Sequence, residues 1–199
     1  ACQLGFIGIN YPEQYGGQSF GLFENVLVIE EFCRKDSGIG IAITLADMAS
    51  GIIVRHGDEN QKERFLIPVT QGRAVSTVAV INSFNEVNRS PIHTKAEEYP
   101  DEYVVSGKKI WVVNGSISNT IVVFCETLNH EVIALIAKGD QEGIHVSVMK
   151  NMMGMSMSSI SEMSFDGVRI PKDRLIGRER EGAEYLKTYL IERRIKTSA

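Results

Sequence analysis

Up to about residue 72 the apolar positions recur at helical spacing. Leu22, Val26, Ile29 and Cys33 stand at i, i+4, i+7 and i+11, one face of a helix that packs inward. The next segment, from Asp36 or Ser37 to about Arg55, is apolar on most faces ("GIGIAITLADMASGIIV"), the pattern of a helix surrounded by others at the centre of a bundle. A third helix is expected from Asp58, with Gln61 three residues on completing a capping box that satisfies orphan N–H groups at the helix start. It is expected to run to about Leu66, with Pro68 and Gly72 closing it.

From Val75 the period becomes that of strands. "STVAVI", "HTKAEEY", "EYVVSGKKIWVV", "NTIVVFCET", "EVIALIAK", "GIHVSVM" and "SSISEMSFDGVRI" are short runs separated by turn chemistry, a pattern that predicts a β-barrel or sandwich. From about Glu179 helical character returns in "REREGAEYLKTYLIERRIKTSA", with Ala183, Leu186, Leu190 and Ile195 loosely periodic. The fold class expected is therefore α+β. An N-terminal helical bundle portion (1–73) precedes a β-barrel or sandwich middle domain (74–178), and the chain ends at the start of a C-terminal helical domain (179–199). Because it opens on Ala1 and stops within a helical pattern, it reads as a piece of something longer.

Composition narrows the function classes. With 43% hydrophobic and 23% charged residues, the chain has the balance of a globular domain that buries a core. Its net charge of −4, with basic residues spread along the chain, argues against nucleic acid or an anionic membrane surface as partner. Cys2, Cys33 and Cys125 are far apart and lack ligand or CxxC spacing, so neither a disulfide framework nor a metal site is expected. No apolar run approaches the roughly 20 residues that span a bilayer. A cytoplasmic location is expected, or the mitochondrial matrix if the source is eukaryotic.

Phosphate-cradling, dinucleotide-binding, nucleophile-elbow and zinc-protease signatures are all absent. His56, His93, His130 and His145 fall in separate elements without paired-ligand spacing and are read as structural or surface residues. The one tryptophan, Trp111, lies among β-branched residues just before an Asn-Gly turn signal, where it either fills a barrel core or presents an aromatic face to a ligand. The methionines between Met149 and Met163 either fill the core or line a flexible apolar pocket.

Five runs, taken together and in order, resemble acyl-CoA dehydrogenases: "GINYPEQYGG" (8–17), "HGDENQKERFLIPVTQG" (56–72), "TKAEEYPDEYVVSGKKIWVVNG" (94–115), "MGMSMSSISEMSFDGVRIPKDRLIG" (153–177) and "YLIERRI" (189–195). The resemblance implies FAD held between the β domain and C-terminal helices, an acyl-CoA substrate oxidised at its α,β position, and electron-transferring flavoprotein as acceptor. It also implies a homo- or hetero-oligomer, either dimer or tetramer. Such chemistry needs a carboxylate at hydrogen-bond reach of the substrate α-carbon, donors that polarise the thioester carbonyl, and a flavin aligned with the β-carbon.

Carried over by the resemblance, Trp111 covers the flavin ring, with Val80, Ile81 and Val113 as further cofactor contacts. Glu192 stands where some branches of the family carry their catalytic base in a Leu-Glu-Arg context, beside Arg193 on the substrate side; spacing alone would make it a solvated helix glutamate. Asp166, Arg169 and Pro171 match a "FDxVRxP" run and read as a strand-end turn with a surface ion pair. Four positions depart from the family pattern. Val113 replaces a Thr or Ser whose hydroxyl bonds the flavin, and Ile81 replaces a flavin-contacting Thr. Glu86 takes a glycine position and Val87, on the substrate side, a serine position. The resemblance thus supports two readings, an FAD-dependent dehydrogenase or a catalytically silent relative that serves as a partner subunit or binds acyl-CoA.

Overall fold

A computed structural model describes residues 1–82, 92–155 and 157–199. Four helices come first: α1 (Leu22–Cys33), α2 (Ser37–Thr44), α3 (Ser50–His56) and α4 (Glu59–Thr70). On α1 the expected face turns inward, with Ile29 buried and Leu22, Val26 and Cys33 half-buried beside it.

The apolar stretch 36–55 is two helices instead of one. Between them Asp47 accepts the Gly8 N–H on its carboxylate at 3.1 Å, and the Ser76 N–H donates to the Ala46 carbonyl at 2.8 Å. The helix opens because its backbone is needed to dock the N-terminal loop and the first strand, a tertiary demand that apolar patterning does not encode. Nor is α2 enclosed, since Ile39 is 43% exposed.

The capping box forms as expected. Asp58 accepts from the Gln61 N–H at 2.7 Å and the Gln61 side chain accepts from the Asp58 N–H at 3.3 Å. The same glutamine donates to the carbonyls of Asp173 and Leu175, both at 2.8 Å, joining α4 to the far end of the sheet. The helix runs four residues past the expected end, with Pro68 inside its last turn. Proline removes one N–H there but keeps its own carbonyl, which accepts from the N–H groups of Arg73 and Ala74.

Seven strands follow: β1 (Ser76–Ala79), β2 (Lys95–Glu98), β3 (Glu102–Val113), β4 (Thr120–Thr127), β5 (Val132–Lys138), β6 (Ile144–Val148) and β7 (Ile160–Pro171). Each of the seven short runs holds one of them, with β7 extending one residue further to Pro171. They form a single curled sheet in the order β1-β4-β2-β3-β7-β6, with β5 on the other edge of β4. One edge of β4 is shared by two parallel partners, β1 along Thr120–Val123 and β2 along Glu126–Thr127.

All eight residues of β4 are buried. Ile121, Val123 and Cys125 pack into the sheet interior with Ile133, Leu135 and Met163, whereas Val122 and Phe124 pack outward with Ile53, Leu66 and Tyr189. Strands covered on both faces read as continuous apolar runs, which is why "TIVVFCET" and "VIALIA" show little alternation.

The last helix, α5 (Gly182–Thr197), lies on that outer face. Its buried side chains are Tyr185 and Tyr189, while Ala183 and Ile195, two of the loosely periodic apolar positions, are exposed. Tyrosines win because each buries a large ring and keeps a polar tip. The ring of Tyr185 stacks on His56 with centroids 3.8 Å apart, which accounts for that histidine. A Cβ at Gly182 would stand 2.2 Å from the Val132 carbonyl oxygen, so only glycine lets α5 start this close to β5.

Truncating Phe124 to alanine is expected to lower unfolding stability by roughly 3–5 kcal/mol, and Asp58→Ala by about 1 kcal/mol. Urea unfolding followed by circular dichroism measures both. A Phe124→Ala loss no larger than that of the cap would show that β4 does not join the two cores.

Candidate functional site

In the second half of β3, Lys109 pairs with Met163 and Val112 with Ser161. Between these pairs β3 supplies Ile110 and Trp111 while β7 supplies only Glu162, so the strand carries a β-bulge. Trp111 takes a positive φ of 54°. That conformation costs a bulky residue roughly 1–3 kcal/mol and persists only where its surroundings enforce it. Beyond the bulge Asn114, also left-handed with φ 57°, ends the strand, and its side-chain amide donates to the Ala42 carbonyl at 3.0 Å. The Asn-Gly signal thus anchors the end of β3 to α2.

The bulge changes where the backbone bonds. The Ile110 N–H donates to the Ile81 carbonyl at 2.8 Å, across the gap left where β1 ends its ladder at Ala79. Residues 80–82 therefore lie beside the bulge, and a pocket forms between them. It is lined by Met48, Val78, Val80, Ile81, Ile110, Trp111, Tyr189 and Arg193. The helical part, the sheet and α5 each contribute to it.

The lining is aliphatic except for one indole, one phenol and one guanidinium. The Tyr189 hydroxyl donates to the Met48 sulfur at 3.0 Å. Burial pushes the Tyr189 phenol up to about 12, with the Arg193 charge acting weakly in the opposite direction.

Of the residues singled out in the sequence, Val80, Ile81, Trp111 and Arg193 meet in this pocket. Trp111 is half-buried at its wall and belongs to neither hydrophobic core. Val113 does not line it; its side chain is buried and its carbonyl accepts the Thr77 hydroxyl at 2.6 Å. Glu192 lies one residue before Arg193 but points to α3, where it is ion-paired with Arg55 and stands beside Gly51. Glu86 and Val87 lie outside the described residues. Among the methionines between 149 and 163, Met163 is core and Met153 and Met157 are exposed; the pocket's one methionine is Met48. Arg169 pairs with Glu102 across β3 and β7, the surface ion pair expected for it.

Lys109 and Tyr189 escaped sequence reasoning. Lys109 is fully buried, and its ammonium donates to the Val80 carbonyl at 3.0 Å and to the Asn82 side-chain oxygen at 2.8 Å. A signal for it existed, because Lys109 shares the period-two face of Tyr103 and Val105. Among the described residues no cluster of His, Cys, Asp and Glu is arranged to hold a metal, and no helix is long and apolar enough to cross a membrane.

Comparison with known proteins places this geometry in context. Residues 1–73 match the family model described as the acyl-CoA dehydrogenase N-terminal domain, and residues 86–168 the model of its middle domain. The mitochondrial isovaleryl-CoA dehydrogenase of Bos taurus is 30% identical over 94% of this chain, which covers 46% of that protein. Butyryl-CoA dehydrogenase from Megasphaera elsdenii is 27% identical with a TM-score of 0.90, the match covering 98% of this chain and 53% of that one. An acyl-CoA dehydrogenase from Bacillus anthracis complexed with FAD is 26% identical with a TM-score of 0.91, over 98% of this chain and 35% of that one. The chain spans about half the length of the curated relatives it matches.

The raised Tyr189 phenol has a pH consequence. Below pH 10 both the folded and unfolded forms hold the proton; between 10 and about 12 only the folded form does, so stability falls as pH rises through that window. Tyr189→Phe is expected to make the alkaline limb of stability against pH shallower, with the raised phenols of Tyr11, Tyr103 and Tyr185 keeping the remainder, measured by urea unfolding at stepped pH. An unchanged limb would show that Tyr189 ionises normally in the fold.

Proposed function

The chain belongs to the acyl-CoA dehydrogenase family, and from that premise we propose that it forms part of an FAD-dependent enzyme oxidising an acyl-CoA thioester between its α and β carbons. The observation that carries this reading is the meeting of Val80, Ile81, Trp111 and Arg193 in one pocket where the sheet joins α5. An isoalloxazine ring has flat, largely apolar faces and a polar edge. The aliphatic lining, the Trp111 indole and the polar tips of Tyr189 and Arg193 fit those requirements.

In this reading FAD, when bound, supplies the two-electron acceptor for the β-hydrogen. Glu192 accepts the α-proton on a carboxylate oxygen, and Arg55 holds that side chain on its helix. Trp111 covers one ring face and, with Val80 and Ile81, keeps water from it. Arg193 adds positive charge beside the thioester, and Val87 is assigned a substrate contact on the resemblance alone. Electron-transferring flavoprotein as acceptor and a dimeric or tetrameric assembly belong to the same proposal.

A second reading, a catalytically silent relative that binds acyl-CoA or supports an active partner, is favoured by two observations. Val113 brings no hydroxyl to the cofactor, and Glu192 is engaged by Arg55 instead of lining the pocket.

The visible spectrum separates the two. The dehydrogenase is expected to show flavin bands that bleach when acyl-CoA is added without oxygen, and Glu192→Gln to keep the bands while slowing bleaching by roughly 10²–10⁴-fold. Unimpaired bleaching in that variant removes Glu192 as base. A colourless protein that FAD cannot reconstitute overturns the flavoenzyme reading.

A further inference from the structure

A buried ammonium stands directly behind the pocket wall. Lys109 has no exposed surface, and such a charge is retained only where its donors are matched. Two of its bonds go to one short segment, the Val80 carbonyl at 3.0 Å and the Asn82 side-chain oxygen at 2.8 Å. The Thr94 hydroxyl donates to the same Asn82 oxygen at 3.2 Å. One residue along β3, the Ile110 N–H binds the Ile81 carbonyl.

The reason for this convergence lies in β1. Its ladder with β4 ends at Ala79, yet residues 80–82 stay half-buried, and half-buried backbone carbonyls need partners. Lys109 and Ile110 provide them, and the next residue is Trp111. One stretch of β3 therefore both presents the indole and holds the segment that carries Val80 and Ile81.

We propose that Lys109 is a positioning residue, holding segment 80–82 in register with the Trp111 bulge so that the ring-binding surface is assembled before any ligand arrives. That the ligand is a flavin rests on the function proposed above; that the wall is held by Lys109 does not. An ammonium suits the task because it spreads several donors around a point and reaches a main-chain carbonyl and a side-chain oxygen together.

Trp111 is this chain's one tryptophan, so its emission reports on the wall directly. Lys109→Met, Asn82→Ala and, as a control of equal charge change, Lys108→Met are compared with the parent chain; Lys108 is 57% exposed and paired with Glu162. Circular dichroism and urea unfolding record the fold, Trp111 emission and acrylamide quenching without flavin record the wall, and FAD titration records the site. Lys109→Met is expected to red-shift Trp111, steepen its quenching and weaken FAD about tenfold or more. Asn82→Ala is expected to act in the same direction and less, because the Val80 bond remains, and Lys108→Met to leave all three signals in place. A folded Lys109→Met with parental Trp111 emission and FAD affinity overturns the proposal. Should that variant fail to fold, parental Trp111 emission and quenching in Asn82→Ala overturn it instead. If the parent binds no FAD, the flavin reading fails, and Trp111 quenching alone then decides the role of Lys109.

Discussion

The fold depends on a strand that has no solvent face. With every residue of β4 buried, its alternate side chains enter two separate cores, one inside the curled sheet and one between the sheet and the helices. Each core alone would be small, and apolar burial scales with the area removed from water. Sharing β4 and β5 makes them one cooperative body, so Phe124 meets Tyr189 of α5 on one side while Cys125, its neighbour, packs inside the sheet. The helical segments at both ends of the chain are held to the same surface for this reason.

The candidate site forms where that arrangement leaves a gap. β1 is short and leaves the ladder at Ala79, α5 crosses the outer face nearby, and the β3 bulge directs Ile110 and Trp111 towards the opening. The left-handed backbone at Trp111 is unfavourable by itself, so it has to be imposed by neighbours on both sides. Ile110 bonds to Ile81 on one side, and the Val112–Ser161 pairing restores the ladder on the other. Lys109, just before the bulge, ties the loose end of β1 to it.

Much of the architecture was legible because it rests on local period and turn chemistry. All seven strands fall on alternating or continuous apolar runs, and Asp58 and Gln61 announced the start of α4 through a hydrogen-bonding pattern that needs only four consecutive residues. What misled was apolar content without length. The stretch 36–55 is hydrophobic enough for one helix, and the break at Asp47 answers a contact with Gly8 and Ser76 that no local pattern contains. The end of α4 was placed early because Pro68 is a strong stop in isolation, whereas within a last turn the missing N–H is inexpensive. On α5 the buried stripe is aromatic, which is why its aliphatic positions are only loosely periodic.

For the site the division is similar. Likeness to a family singled out Trp111, Val80 and Ile81 as cofactor contacts and Arg193 as a substrate contact, and these residues, far apart along the chain, line one pocket. The same likeness marked Val113 as lacking the hydroxyl expected there. Only the tertiary structure decided that Trp111 sits at a bulge, that Val113 is buried outside the pocket lining, that Glu192 is engaged by Arg55, and that a buried lysine backs the wall. Those outcomes depend on which backbone groups lose their partners when strands of unequal length are packed together. That accounting is closed only by residues distant in the chain, so it becomes readable only when the whole sheet is in place.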